Sequence, residues 1–194
     1  MTSDLNSLLI EIRKCRECEA NLPLEPRPIL AAHQDARILI IGQAPGIRVH
    51  ESGVPWDDPS GERLRNWMGI TAADFYNPKK VAIVPMGFCY PGKGSTGDLP
   101  PRKECAQLWH RRLLDKLSIV KFTLVLGRYA QTYRLGDQNK STLTKTVAAW
   151  KNFTPSCLPL PHPSPLNNRW LKKNAWFEKD VIPYLKRRTR RVLS

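Results

Sequence analysis

Two short motifs rich in glycine and proline carry the side chains best suited to chemistry. In Gly42-Gln43-Ala44-Pro45-Gly46, glycines on both sides of a proline make the backbone turn sharply and leave room for a planar group. In His162-Pro163-Ser164-Pro165-Leu166, the histidine is held stiffly between prolines. A lone histidine is more often structural, but this rigid setting favours a functional role for His162.

Four of the five cysteines form a second candidate site. Cys15 and Cys18 are a close pair, and Cys89 and Cys105 follow much later in the chain. We expect a cytoplasmic protein, in which cysteines rarely form disulfides, so a metal or cluster site is the alternative to consider. Four thiolates suit a [4Fe–4S] cluster or a tetrahedral zinc ion, and empty thiols are the third possibility. Cys157 lies in an apolar run and is expected to be a core residue.

Both motifs follow runs that are predicted to be buried strands. The four apolar runs are Arg37–Gly42, Val81–Pro85, Phe122–Gly127 and Cys157–Pro161. Continuous apolar runs suit strands covered on both faces, which is typical of a parallel sheet. Helical stretches are predicted at Leu5–Cys18, Gly61–Met68, Arg102–Leu117, Thr144–Trp150 and Asn168–Arg188. The alternation predicts a three-layer α/β/α domain with a central four-stranded parallel sheet. Ligands of such sheets bind beyond the carboxyl ends of the strands, where both motifs fall.

Length and charge narrow the class of protein further. The 194 residues suit a single domain spanning 1–194, and the formal net charge is +14. A strongly basic surface attracts phosphate backbones, so nucleic acid is a candidate partner, and a solvated surface without a specific partner is the alternative. We expect the protein to be a monomer. Part of the excess lies in a basic C-terminal tail at about 186–194, which either contacts phosphates or is disordered. No apolar run approaches the ~18 residues of a membrane span.

Taken together, the motifs resemble those of the uracil-DNA glycosylase superfamily. Gly42-Gln43-Ala44-Pro45-Gly46 resembles motif one and is closest to the GEAPG version of the iron–sulfur branch, family four. The segment from His162 to Leu166 resembles motif two, HPSPL. Between them, Gly53-Val54-Pro55-Trp56 resembles the G-x-P-F segment whose aromatic ring stacks on a flipped uracil. The resemblance spans about Cys15 to Leu166 and implies that Cys15, Cys18, Cys89 and Cys105 hold a [4Fe–4S] cluster, with structural zinc as the alternative.

The resemblance also implies roles for the catalytic residues. Cleavage of an N-glycosidic bond builds positive charge on the sugar and negative charge on the base. His162 matches the family histidine that donates a hydrogen bond to the leaving base. Family one has Asp in place of Ala44, and family four has Glu in place of Gln43. Gln43 can hold water or the base, but it cannot ionise. The nearest acids are Asp57 and Asp58, and we choose Asp58 because family five carries its acid shortly after the aromatic residue. The alternatives are that Asp58 caps the following helix, or that Ser60 caps it and Asp58 only flanks it.

The remaining candidates would bind the base or the DNA. Gly42, Ala44, Pro45 and Gly46 are expected to line the base pocket, and Trp56 is either its floor or a core residue. Family four reads uracil with an asparagine where this chain has Pro85, so Gln43 and Asn167 are the possible substitutes. Leu166 is either a wedge that enters the base stack or an ordinary packed leucine. The other residues predicted to contact DNA are Ser164, Pro165, Lys93 and Arg102, where Lys93 and Arg102 alternatively belong to a rigid clamp around the cysteines.

These expectations converge on one predicted function. We expect a DNA glycosylase that hydrolyses the N-glycosidic bond of uracil or a related deaminated base in base-excision repair. Because Gln43 and Ala44 replace both family acids, a non-catalytic iron–sulfur protein that binds damaged DNA is the first alternative. A structural zinc protein with a basic surface that binds RNA is the second.

Overall fold

A parallel sheet forms the centre of the computed structural model, which describes residues 4–95 and 97–194. The strands are β1 (Ile38–Ile41), β2 (Val81–Ile83), β3 (Lys93–Gly94), β4 (Gly97–Asp98), β5 (Phe122–Leu126) and β6 (Cys157–Leu160). The central sheet has the order β2-β1-β5-β6 with all strands parallel, and β3 and β4 form a separate antiparallel hairpin. Each predicted apolar run contains one strand of the central sheet.

Helices cover both faces of this sheet. They are α1 (Leu5–Arg13), α2 (Ile47–Ser52), α3 (Pro59–Met68), α4 (Ala72–Phe75), α5 (Lys103–Cys105), α6 (Arg111–Leu114), α7 (Gly127–Leu135), α8 (Leu143–Ala148), α9 (Asn168–Lys173) and α10 (Ile182–Leu193). A π-helical turn at Ala106–His110 joins α5 to α6, and another at Phe177–Val181 precedes α10. None of the helices in the described ranges is long and apolar enough to cross a membrane.

Alternate residues of β1 point to two separate hydrophobic cores. Leu39 and Ile41 pack into the core that contains α1 and α7, and Ile38 and Ile40 pack into the core that contains α3 and α10. Side chains alternate across a strand, so a strand that is apolar at every position needs cover on both faces. The predicted three-layer α/β/α fold is therefore confirmed.

The last strand, β6, contains a proline, and its position in the sheet explains why that proline is tolerated. Pro159 pairs with Val125 within β6, although proline has no N–H to donate to a neighbouring strand. Because β6 is the edge strand, no second neighbour requires that donor. β6 therefore ends the sheet and delivers its carboxyl end directly to His162.

The basic C-terminal residues are part of the fold and not a free tail. Residues 186–193 form the larger, C-terminal part of α10, and Leu185, Thr189 and Val192 on that helix are buried. The Arg188 side chain also donates hydrogen bonds to the carbonyl oxygens of Pro155 (3.1 Å) and Lys121 (3.2 Å). The buried residues recur every three or four positions, a helical spacing that the surrounding basic residues hide in the sequence.

Candidate active site

One pocket of about 430 Å³ lies beyond the carboxyl ends of the central strands. A pocket of this size suits a small planar ligand. It brings both sequence motifs together, although well over a hundred residues separate them. The predicted residues that line it are Gly42, Gln43, Ala44, Pro45, Gly46, Trp56, Asp58, His162, Ser164, Leu166 and Asn167.

The Trp56 indole forms one wall of this pocket and is only partly exposed. It stacks on the His162 imidazole, with the ring centroids 5.4 Å apart and an angle of 28° between the planes. The indole can occupy this position because residue 42 is a glycine: a Cβ on Gly42 would lie only 2.9 Å from Cζ2 of Trp56. Trp56 therefore couples the two motifs physically, and it presents an aromatic surface to the pocket as a base-stacking residue must.

The Trp56 backbone adopts a left-handed conformation with φ 59°, which is rare for a bulky residue. Its carbonyl oxygen accepts hydrogen bonds from Arg65 Nη1 (3.4 Å) and from the Tyr76 hydroxyl (3.3 Å). The same oxygen sits against Gly61, where a Cβ would approach it to 1.8 Å. A strained conformation persists only when its surroundings fix it, and such residues cluster at functional sites.

His162 is held as a neutral hydrogen-bond donor. Its Nδ1 accepts a hydrogen bond from the Ser164 N–H (3.2 Å), so the proton of the neutral ring belongs on Nε2. Burial lowers the pKa of His162 to about 4, although the nearby Asp58 carboxylate opposes that shift. At neutral pH the imidazole therefore donates through Nε2 without carrying a charge.

Asp58 caps a helix and lines the pocket at the same time. Its Oδ1 accepts a hydrogen bond from the Gly61 N–H (2.8 Å) at the start of α3. The cap fixes the carboxylate beside His162, so the two roles considered from the sequence are compatible. Asp57 is exposed and does not line the pocket.

Gln43 connects the first motif to the loop that contains the β3–β4 hairpin. Its Nε2 donates to the Leu99 carbonyl oxygen (3.2 Å), next to Asp98. Asp98 itself lines the pocket, and sequence reasoning did not identify it. No local pattern marks it as a site residue, since its proximity to Gly46 depends on how a distant loop folds back.

The loop after β6 projects an apolar side chain at the pocket mouth. Leu166 is 75% exposed, so the packed-leucine alternative does not apply. The loop is rigid because Ser164 Oγ accepts from the Leu166 N–H (3.2 Å) and Arg63 donates to the Ser164 carbonyl oxygen (3.2 Å). Asn167 donates its amide to the His162 carbonyl oxygen (2.7 Å), and Pro165 is exposed without lining the pocket.

The four predicted cysteine ligands line a second, smaller pocket. Cys15, Cys18, Cys89 and Cys105 meet there between apolar side chains that include Phe88 and Trp109. Burial raises the pKa of Cys89 to about 11 and that of Cys105 to about 12. Within the described residues, no three His, Cys, Asp or Glu side chains are arranged to hold a single metal ion.

Besides Pro165, two residues predicted to bind DNA lie outside the base pocket. Arg102 lines the cysteine pocket and pairs with Glu104, as expected for the clamp alternative. Lys93 is exposed on β3, where Asp98 is its partner across the hairpin. Neither side chain contacts the space in which a flipped base would sit.

The comparison with known families agrees with this geometry. The family model of the uracil DNA glycosylase superfamily matches residues 30–186, which is most of the chain. The chain belongs to the uracil-DNA glycosylase superfamily, whose members are DNA glycosylases. The matched region begins after Cys15 and Cys18, so it does not address the group that the cysteines would hold.

Proposed function

We propose that this protein hydrolyses the N-glycosidic bond of uracil or a related deaminated base in DNA, as a step of base-excision repair. The observation that carries the proposal is the meeting of three groups in one pocket: the Trp56 indole, the Asp58 carboxylate and the neutral His162 imidazole. These are an aromatic surface, an anion and a donor, which are the groups that base flipping and glycosidic cleavage need.

Each group has a role in the proposed reaction. The flipped base stacks on Trp56, while the exposed Leu166 enters the space that the base leaves in the duplex. The carboxylate of Asp58 stabilises the positive charge that develops on the sugar and orients the attacking water. His162 Nε2–H donates to a base oxygen and stabilises the negative charge of the leaving base. Gln43 anchors the loop that contains the β3–β4 hairpin through its bond to Leu99.

We also propose that Cys15, Cys18, Cys89 and Cys105 hold a [4Fe–4S] cluster, as in the family four type, with structural zinc as the alternative. All four thiols line one pocket with apolar walls, and thiolates are the preferred ligands of such clusters. Bound there, the cluster would tie the N-terminal cysteine pair to the loop between Cys89 and Cys105. Protein purified without oxygen should contain about four irons per chain, whereas colourless protein with one zinc would reject the cluster.

A lesion screen tests the proposed activity. Single-turnover cleavage would be measured on oligonucleotides that contain uracil, hypoxanthine or xanthine, in single and double strands. We expect release of at least one of these bases. Selective binding of a lesion without release of any base would instead support the non-catalytic alternative.

A further inference from the structure

Asp98 supplies the base pocket with a second carboxylate that belongs to neither sequence motif. It ends strand β4, and its Oδ2 lies 3.3 Å from the point that a Cβ on Gly46 would occupy. Within the described parts of the chain, its carboxylate makes no hydrogen bond and no ion pair with another side chain. Asp98 therefore brings unused acceptor oxygens to the pocket.

The position of Asp98 is fixed through its neighbour Leu99. The neighbouring Leu99 accepts a hydrogen bond from Gln43 Nε2 (3.2 Å), and its N–H donates to the Gly92 carbonyl oxygen (2.8 Å). Asp98 as a residue is exposed, but desolvation of its carboxylate at the pocket wall and the Asp58 carboxylate raise its pKa, while Lys93 opposes them. Asp58 and Asp98 both line the pocket, and the effect of Asp58 on the pKa of Asp98 also indicates that the two carboxylates are close together.

The two acids are not equivalent. Asp58 already accepts the Gly61 N–H and lies beside His162, which places it at the sugar and the leaving group. Asp98 lies on the wall formed by the hairpin, and Pro85 at the end of β2 offers no side-chain amide to the base. The edge of the base thus needs a polar partner. Gln43 and Asn167 also line the pocket, but their amides both donate and accept, whereas an ionised Asp98 carboxylate only accepts.

Deamination converts one ring nitrogen of the base from a hydrogen-bond acceptor into a donor, and a free acceptor in the pocket can distinguish the two forms. In cytosine and adenine, the ring nitrogen beside the amino-bearing carbon presents a lone pair, which a carboxylate repels. In uracil and hypoxanthine, the same nitrogen carries a hydrogen and becomes a donor. An ionised carboxylate is an acceptor only, so it attracts the deaminated form and repels the normal one.

We propose that Asp98 determines the substrate class by accepting a hydrogen bond from the lactam N–H of the flipped base. This inference rests on the proposed glycosylase function and makes it more specific. It assigns lactam bases as substrates, with uracil and hypoxanthine as the simplest members. It also gives the hairpin a direct contact with substrate.

The test compares single-turnover release of uracil and hypoxanthine by the wild type, Asp98→Ala and Asp98→Asn. Loss of a hydrogen bond to a charged acceptor should make Asp98→Ala roughly 10- to 100-fold slower. Asp98→Asn keeps an acceptor oxygen and should recover to within about threefold of the wild type. Ser95→Ala, an exposed change in the same hairpin that does not line the pocket, is the matched control and should behave like the wild type.

Each other result has a definite meaning. No release of any lactam base by the wild type would overturn the proposed function itself. Normal release of these bases by Asp98→Ala would overturn only the role of Asp98. Equal loss in the Ala and Asn variants would show that Asp98 acts through its charge or by proton transfer, and would overturn its role as a simple acceptor of the N–H. Release of normal cytosine by the wild type would place the carboxylate against the exocyclic amine and would also overturn the inference.

Discussion

Asp58 combines a structural and a chemical role, and substitution can separate them. Asp58→Asn retains an oxygen that can accept the Gly61 N–H, so the start of α3 should stay capped. The negative charge is lost, and single-turnover cleavage should fall by roughly 10²–10⁴-fold. His162→Ala should lower the rate by a similar factor, because the donor to the leaving base is removed.

The neighbouring carboxylate provides the control for this measurement. Asp57 is exposed and outside the pocket, so Asp57→Asn should cleave at nearly the wild-type rate. DNA affinity should change less than the rate in the Asp58 and His162 variants, since the lost interactions develop mainly in the transition state. An essential Asp57 with a dispensable Asp58 would contradict the assignment.

The pKa of His162 predicts how pH affects stability. Folding lowers this pKa from its ordinary value of 6.5 to about 4, so the unfolded chain binds more protons between these pH values. The free energy of unfolding should therefore fall as the pH drops from 6.5 towards 4. We expect a contribution of about 1–2 kcal/mol, reduced from the full linkage value because the ring is partly open to the pocket.

Comparison with His162→Asn isolates this contribution, because the variant has no imidazole to protonate. Urea unfolding of both proteins at several pH values would give the difference in unfolding free energy. That difference should shift in favour of the variant as the pH falls through this window. His110, which burial also holds below its ordinary pKa, is present in both proteins and cancels. A difference that does not vary with pH would contradict the low pKa.

Helix α3 offers a test of the packing that holds Trp56. Replacing glycine by alanine inside a helix normally stabilises it by about 1 kcal/mol. At Gly61 the new Cβ would lie 1.8 Å from the Trp56 carbonyl oxygen, so Gly61→Ala should destabilise the protein by about 1–3 kcal/mol. Thermal unfolding would measure the change.

A matched position on the same helix gives the opposite expectation. Asn66 is exposed within α3, and Asn66→Ala should be neutral or slightly stabilising, because alanine is the better helix former. A stabilising effect at both positions would show that Gly61 does not support the conformation of Trp56.

The elements differ in how well the sequence predicts them. The runs around Ile38–Ile41 and Phe122–Leu126 are apolar and mostly β-branched or aromatic, so local composition was enough to identify those strands. Hairpin β3–β4 pairs only two residues per strand and leaves no periodic pattern to read. The predicted helix Asn168–Arg188 covers the start of α10, but the rest of α10 was predicted to be a tail, because its buried residues are flanked by arginines.

The candidate site follows the same division. His162 and Gly42 sit at strand ends, so the rule for parallel sheets was enough to bring them together. Asp98 reaches Gly46 through the fold of a loop about fifty residues away, which composition and spacing do not encode. The sequence left open whether Arg102 contacts DNA or the cysteines, and the structure places it in the cysteine pocket.

For the molecule as a whole, the charge of +14 predicts binding to undamaged DNA that weakens steeply with salt. On α10, Lys186, Arg187, Arg190 and Arg191 are exposed and can be neutralised to Gln without disturbing its buried face. For each of these side chains that contacts a phosphate, its replacement by Gln should reduce the magnitude of the slope of log K against log[salt] by about 0.9. Fluorescence anisotropy at several salt concentrations would measure the slope.

Removal of residues 186–194 would not be an equivalent experiment. It would delete the buried Thr189 and Val192 and should destabilise the fold, so a loss of binding would carry no information about DNA contacts. An unchanged slope in the neutralised variant would assign the phosphate contacts to basic residues elsewhere on the surface.

The wall that carries Asp98 is a loop whose two ends meet, because Cys89 and Cys105 line the same pocket. Loops anchored in this way tolerate changes of sequence and length at small cost to the scaffold. Asp58 and His162 come from other parts of the chain, so they would be untouched by such changes. Proteins that share this fold would then acquire new lesion preferences by changes in residues 90–104 alone. A mutant library confined to that segment should therefore yield enzymes with an altered base specificity.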